Sequence, residues 1–171
     1  MMLTPDDILT HFPITEPFKF VDEIISLEEG RVTGAYTYPP DAFFFKGHFP
    51  GNPVVPGSIL QETAAQIGLI PLGLQCLLQY HKTAVAFDKE QLLASKMDDL
   101  FYLVSSDLAF KSVVRPGERV MVYAEKIFFK LYKLKCNVRI ETAAGQPVAS
   151  GIMAGIVNIE NILKQDIWRQ E

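Results

Sequence analysis

Histidine is sparse in this chain and cysteine sparser, and each shortage removes a class of chemistry. Two cysteines, Cys76 and Cys136, are too few for a disulfide framework and too far apart for a C-x-x-C motif, so reduced thiols are expected. The three histidines, His11, His48 and His81, have no histidine, cysteine or carboxylate at a metal-ligand spacing, and neither a metal nor another cofactor is expected. G-x-G-x-x-G, the phosphate loop G-x-x-x-x-G-K, G-x-S-x-G and S-x-x-K are all missing, which leaves nucleotide and serine-nucleophile chemistry without support.

Positive charge is also in short supply. A net charge of -4 lacks the basic footprint of a nucleic-acid binder. The longest uncharged run, Thr63 to Tyr80, is interrupted by Gln66, Gln75, Gln79 and Pro71, so it reads as a buried amphipathic helix and no membrane span is expected. The opening MMLTPDD carries acid where a secretory signal needs basic charge, and a cytoplasmic protein is the expectation. With 49% apolar and 21% charged residues over 171 positions, the chain has the material for one globular domain spanning residues 1–171.

Thr4-Pro5-Asp6-Asp7 reads as an N-cap, a first-turn proline and two acids at the positive end of a helix dipole, predicting a short helix ended by Pro13 and Pro17. β-Branched and aromatic residues from Phe18 to Leu27 and from Arg31 to Tyr38 flank the turn Glu28-Glu29-Gly30 and predict a hairpin. Past the aromatic run Phe43 to Phe45, residues 47 to 58 hold three prolines and three glycines, a stiff loop that supports neither helix nor ladder. Ser58 with Gln61 is a capping-box pattern, predicting a helix just past Gly57 with Ile59, Leu60, Ala64, Ala65, Ile67 and Leu69 on its apolar face, kinked or divided by Pro71. Residues 82 to 100 read equally as a short helix or an irregular insertion. Strands are predicted over Tyr102 to Val114, Arg119 to Phe129, Leu131 to Thr142 and Val148 to Val157; in the third, Leu134, Cys136, Val138 and Ile140 alternate with polar neighbours. The sum is an α+β fold, an antiparallel sheet with one long helix across its inner face.

The chemistry left to this chain rests on His48 and Glu62, one on each side of the stiff loop. A histidine needs little adjustment to act as a base near neutrality. Glu62 falls just past the first turn among Ile59, Ala65 and Gln66, and a mainly apolar setting favours the un-ionised form of a carboxyl, the form a proton donor needs. Taken singly, a loop histidine is a surface residue and an early-helix glutamate offsets the dipole. Their placement around a proline-braced loop makes the pair a candidate for acid–base work.

The string His48-Phe49-Pro50-Gly51-Asn52-Pro53-Val54-Val55-Pro56-Gly57, with Glu62 fourteen positions after the histidine and Ala65-Gln66 following, closely resembles the signature of the β-hydroxyacyl-acyl carrier protein dehydratases of hot-dog fold. Weaker similarity runs from Pro17 to Asp22 and from Phe110 to Glu118. The resemblance implies a hot-dog fold, a sheet wrapped around a central helix, and removal of water from a 3-hydroxyacyl thioester on acyl carrier protein. By position it makes His48 the base, Glu62 the acid and the Gly57 N–H the oxyanion donor, with the Val54 carbonyl orienting the His48 ring. It further implies a homodimer, or a higher assembly of dimers, in which the histidine of one subunit meets the carboxylate of the other. An acyl tunnel would then run along the interface, with Phe43, Phe44, Phe45, Phe49, Ile59 and Leu60 as candidate lining.

Glutamate as the acid favours the branch that dehydrates without isomerising. Two departures from the family pattern, Ile14-Thr15-Glu16 in place of a histidine-arginine-tyrosine run and a longer segment between the helix and Phe110, bear on chain length and not on the catalytic pair. Thioester hydrolysis and non-catalytic acyl binding are the competing readings on the same fold. Residues 110 to 140 carry eight basic side chains, Lys111, Arg115, Arg119, Lys126, Lys130, Lys133, Lys135 and Arg139, against Glu118 and Glu125. That surplus reads equally as wet strand faces or as a seat for an acidic carrier protein.

Overall fold

The computed structural model describes residues 2–79, 89–94 and 100–159. Six antiparallel strands form one sheet in the order β1-β2-β4-β5-β6-β3, with β1 Glu23–Glu28, β2 Arg31–Thr37, β3 Phe101–Phe110, β4 Arg119–Lys130, β5 Lys133–Thr142 and β6 Pro147–Val157. Against its inner face lies one long helix in three parts: α2 Gly57–Ala64, a π turn Ala65–Leu69 and α3 Ile70–Leu78. Every residue of α3 from Ile70 to Leu77 is buried, which is why this stretch carries no charge and is apolar except for Gln75, whose Oε1 accepts from the Leu3 amide at 2.8 Å.

The period-two pattern of β5 holds: Leu134, Cys136, Val138 and Ile140 are buried while their neighbours reach the wet face. Close contact between helix and sheet is made possible at Gly34 of β2, where a Cβ would stand 2.7 Å from the Ile67 side chain and 2.6 Å from the Glu23 carbonyl. Both thiols, Cys76 and Cys136, are free and buried. Burial pushes the Cys136 thiol up to about 12.

The opening helix, α1 Pro5–Thr10, carries the expected cap. Thr4 Oγ1 accepts from the Asp7 amide at 3.2 Å, and Asp7 Oδ2 accepts from the Thr4 amide at 2.7 Å. Three other expectations are corrected. The first strand begins at Glu23 and not at Phe18, because the backbone of residues 18–20 bonds a helix side chain instead of a ladder. The strand expected over Tyr102 to Val114 stops at Phe110. Ser58 is an exposed second helical residue and not a cap; Pro56 takes the N-cap position with no side-chain bond, its carbonyl accepting from Ile59 and Leu60. The long helix is divided just ahead of Pro71, as expected: the π turn ends at Leu69, and Pro71 falls in the first turn of α3. Within residues 82 to 100, Lys89–Ala94 form the short helix α4, with Leu92 buried and Lys89 Nζ 2.6 Å from Asp7 Oδ2. The rest of that segment up to residue 99, His81 and the tail past Ile159 lie outside the described residues.

Candidate active site

The stiff loop sits between a 3₁₀ turn, Phe43–Lys46, and the start of α2. Two bonds pin it to the stretch after β3: the Val55 amide to the Val114 carbonyl at 2.8 Å, and Arg115 Nη1 to Asn52 Oδ1 at 2.9 Å. Phe49 is held at φ 64, a left-handed conformation costly for an aromatic residue. Its neighbour His48 is half-buried, with ring centroids 4.3 Å apart.

His48 Nδ1 lies 2.9 Å from the Val54 carbonyl. A carbonyl oxygen only accepts, so Nδ1 carries the proton and the neutral ring presents a lone pair at Nε2. The loop thus fixes both the direction of the imidazole and its tautomer, leaving the nitrogen that can take a proton turned away from the bond.

Glu62 is half-buried on α2 and lines a cavity of about 130 Å³ with Ile14, Ala65, Gln66, Leu69, Ile70, Phe101, Leu103 and neighbouring backbone. Its Oε1 accepts from Gln66 Nε2 at 2.9 Å. Gln66 is itself 1% exposed and also accepts from the Phe20 amide at 2.7 Å and donates to the Phe18 carbonyl at 2.8 Å. The Phe20 N–H requires an oxygen opposite it, so the amide can face only one way and its NH₂ is directed at Glu62. One carboxyl oxygen is thereby committed as an acceptor, and Oε2 is the natural position for a transferable proton. Gln66 was visible in the sequence only as part of the Ala65-Gln66 signature; its link to residues 18–20 carries no local signal.

Gly57 is the first helical residue, so its N–H has no intrahelical acceptor. The Phe110 ring closes over it, with Cζ 3.3 Å from where a Cβ would stand. Among the expected lining residues, Phe44, Phe45, Ile59 and Leu60 belong to the core of the protomer, and Phe43 and Phe49 are exposed. None of the six borders the Glu62 cavity within one chain. Among the described residues no hydrogen bond joins His48 to Glu62, no cluster of His, Cys, Asp or Glu is arranged to hold a metal ion, and no helix is long and apolar enough to cross a membrane.

The chain is similar to known proteins in sequence and in fold. The FabA-like domain matches residues 12–148. A 3-hydroxyacyl-acyl-carrier-protein dehydratase FabZ from Herpetosiphon aurantiacus is 44% identical over 161 residues, covering 92% of this chain and 100% of the relative. Its namesake from Caldicellulosiruptor saccharolyticus is 34% identical over 147 residues, 84% of this chain and 91% of the relative. Among solved structures, the dehydratase heterocomplex ApeI:P from Xenorhabdus doucetiae superposes with a TM-score of 0.66 at 15% identity, covering 96% of this chain and 98% of that one. A hypothetical thioesterase with coenzyme A from Streptococcus pneumoniae gives 0.52 at 14% identity, over 90% and 92% of the two chains. These two likenesses establish the hot-dog fold, and the sequence matches go further: the chain belongs to the FabA-like family of β-hydroxyacyl-acyl carrier protein dehydratases.

Proposed function

We propose that the protein removes water from a 3-hydroxyacyl thioester carried on acyl carrier protein, giving the trans-2-enoyl thioester. His48 Nε2 takes the α-proton, and the charge that builds on the thioester oxygen is met by the Gly57 N–H at the positive end of the helix. Glu62 Oε2 then gives its proton to the departing β-hydroxyl, which leaves as water with the C–O bond electrons, while the pair left at the α-carbon closes the new double bond. The observation that best supports this division of labour is the pair of fixed orientations: a carbonyl that leaves the imidazole a free lone pair, and an amide that commits one oxygen of the acid.

A homodimer completes the site in this reading, with His48 of one copy facing Glu62 of the other and Phe43 and Phe49 lining the acyl path. In its favour, β3 is an edge strand that leaves Tyr102, Leu103, Val104 and Phe110 exposed, a surface that is costly to leave in water. The sheet register supports a basic seat for the carrier protein near the cavity. Tyr102, at the cavity, pairs with Ile156, which pairs with Lys133, which pairs with Lys130; Lys135 lies two residues on. Two buried thiols without a disulfide suit the cytoplasm, where we place the protein.

The test is turnover of 3-hydroxyacyl carrier followed by enoyl absorbance. His48→Ala and Glu62→Gln are each expected to lower kcat by about 10²–10⁴-fold with the fold intact by circular dichroism. Near-normal turnover of either variant would overturn the roles. Release of free thiol in place of enoyl product would mark a thioesterase, and binding of the carrier without reaction in either direction an acyl-binding module.

A further inference from the structure

We propose that the tip of the β4–β5 hairpin docks on an anionic lipid bilayer, with Leu131 entering the headgroup layer and Lys130, Lys133 and Lys135 meeting its charge. The proposal is independent of the chemistry assigned above. From Ile127 to Lys135 the chain holds these three lysines and no acid. Lys126, at the base of the tip, lies with Glu28 and Glu29 instead and is not part of the surface. In the same stretch Leu131 is 73% exposed, and Ile127 and Phe128 are exposed with it. Large apolar side chains set among charges of one sign complement a layer that is apolar within and negative at its surface.

The tip is built in a way that stability in water does not favour. Lys130 pairs with Lys133, so Leu131 and Tyr132 form a two-residue turn, and both have positive φ, 50 and 59. That geometry follows the twist of a hairpin but suits Asn-Gly; a leucine in it crowds its Cβ against the following carbonyl. Tyr132 is anchored, packed against the core with its carbonyl accepting from the Val157 amide at 2.9 Å. The anchor holds Leu131 outward. Just behind, the register shifts at Ile127, and the extra residue brings Ile127 and Phe128 to the surface together. Phe128 then lies directly across from Lys135, and Lys133 directly across from the exposed Ile156, so apolar and basic side chains alternate on one face of the sheet.

An acidic carrier protein accounts for the lysines but not for the apolar side chains among them. A bilayer accounts for both, because lysine stems lie along apolar surface while their ammonium groups reach the lipid phosphates. The shape agrees. A two-residue turn is a narrow convex protrusion, able to enter a headgroup layer and offering no groove to a peptide. The surface also survives assembly, since β6 stands between β5 and the β3 edge, and pairing of two copies along β3 leaves the tip uncovered.

The experiment is flotation of the full chain with vesicles of phosphatidylcholine alone or with about 30% phosphatidylglycerol. Partition into the anionic vesicles is expected to exceed that into the neutral ones at least about tenfold, and to fall as salt rises from about 0.05 to about 0.5 M. Lys130→Glu with Lys133→Glu should cut it at least about tenfold again. Leu131→Asn is the decisive variant, because asparagine accepts the left-handed turn but not the bilayer. It should weaken vesicle binding at least about fivefold, raise the thermal midpoint, and leave turnover of carrier substrates in solution unchanged. Three results would overturn the proposal: vesicle binding that is absent or indifferent to lipid charge, Leu131→Asn binding as tightly as wild type, or a midpoint that falls in that variant and so shows the leucine serving the fold. A raised KM for the carrier in Leu131→Asn, with vesicle binding intact, would assign the tip to the carrier protein and overturn it as well.

Discussion

Gln66 joins two parts of the protein that have separate tasks. Its amide is saturated by Phe18, Phe20 and Glu62 while 1% of the residue is exposed, so a side chain lacking those groups disturbs the backbone of residues 18–20 and the acid at once. Gln66→Leu leaves the buried Phe20 N–H without an acceptor, which costs about 1–3 kcal/mol and is measurable as a lowered midpoint in urea. It also frees the Glu62 carboxyl to rotate, and a fall in kcat of about tenfold with KM little changed is the expected kinetic mark of an acid out of position. Stability and kcat that both stay at wild-type values would mean that the three bonds hold nothing in place. The sequence made His48, Glu62 and the loop legible because their chemistry sits in one short, unusual string. It left Gln66 obscure, because a glutamine in an uncharged helical run looks like any other buried polar residue until the chain from forty-six positions earlier folds against it.

At the scale of elements, the signals that survived folding were local ones. Thr4 and Asp7 form their capping box because both partners lie within one turn, and β5 keeps its alternation because its inner face has only the helix to meet. The signals that failed were those where a distant partner took over: Ser58 lost its capping role to Pro56, and the aromatic stretch before Glu23 found a side chain and not a strand. α1 is tied to a distant element by the ion pair between Asp7 and Lys89 of α4. Burial pushes the Asp7 carboxyl up, but the Lys89 ammonium and the Thr4 amide and hydroxyl outweigh it and hold the group at about 2, against an ordinary 3.8. Because the folded value is the lower one, the carboxylate stabilises the fold fully above about pH 5, and this contribution is lost as pH falls toward 2. Solvent reaches the pair, so the gain is about 1–2 kcal/mol and less than the shift alone would give. Asp7→Asn should therefore lower the thermal midpoint at pH 7 and lower it by only about a third as much at pH 2.5, so that the wild-type and variant curves converge in acid. Parallel curves across that range would show that Asp7 contributes no more than packing.

The whole molecule is a sheet with two unlike edges. β1 closes one side with the exposed acids Glu23 and Glu28 at its ends, the kind of charge that discourages further pairing. β3 closes the other with ten residues, of which Asp107 alone is charged, and with apolar side chains on the surface. An edge this long and this apolar is stable in water only when something covers it, and the proposed second copy does so by pairing β3 with its own counterpart, an isologous contact that closes after two chains. Pairing there would set the cavity lined by Tyr102 and Leu103 beside the interface, and assembly and chemistry would then depend on the same strand. Val104, 46% exposed on β3 and not among the residues bordering the cavity, separates the two effects. Val104→Lys places a charge where two copies would meet without altering the His48 loop or the Glu62 slot. It should shift the protein from dimer to monomer in sedimentation and remove turnover in parallel, with activity returning as protein concentration is raised far enough to restore the dimer. A monomeric variant with full turnover would sink the shared site, and a variant that remains dimeric would move the interface to another face.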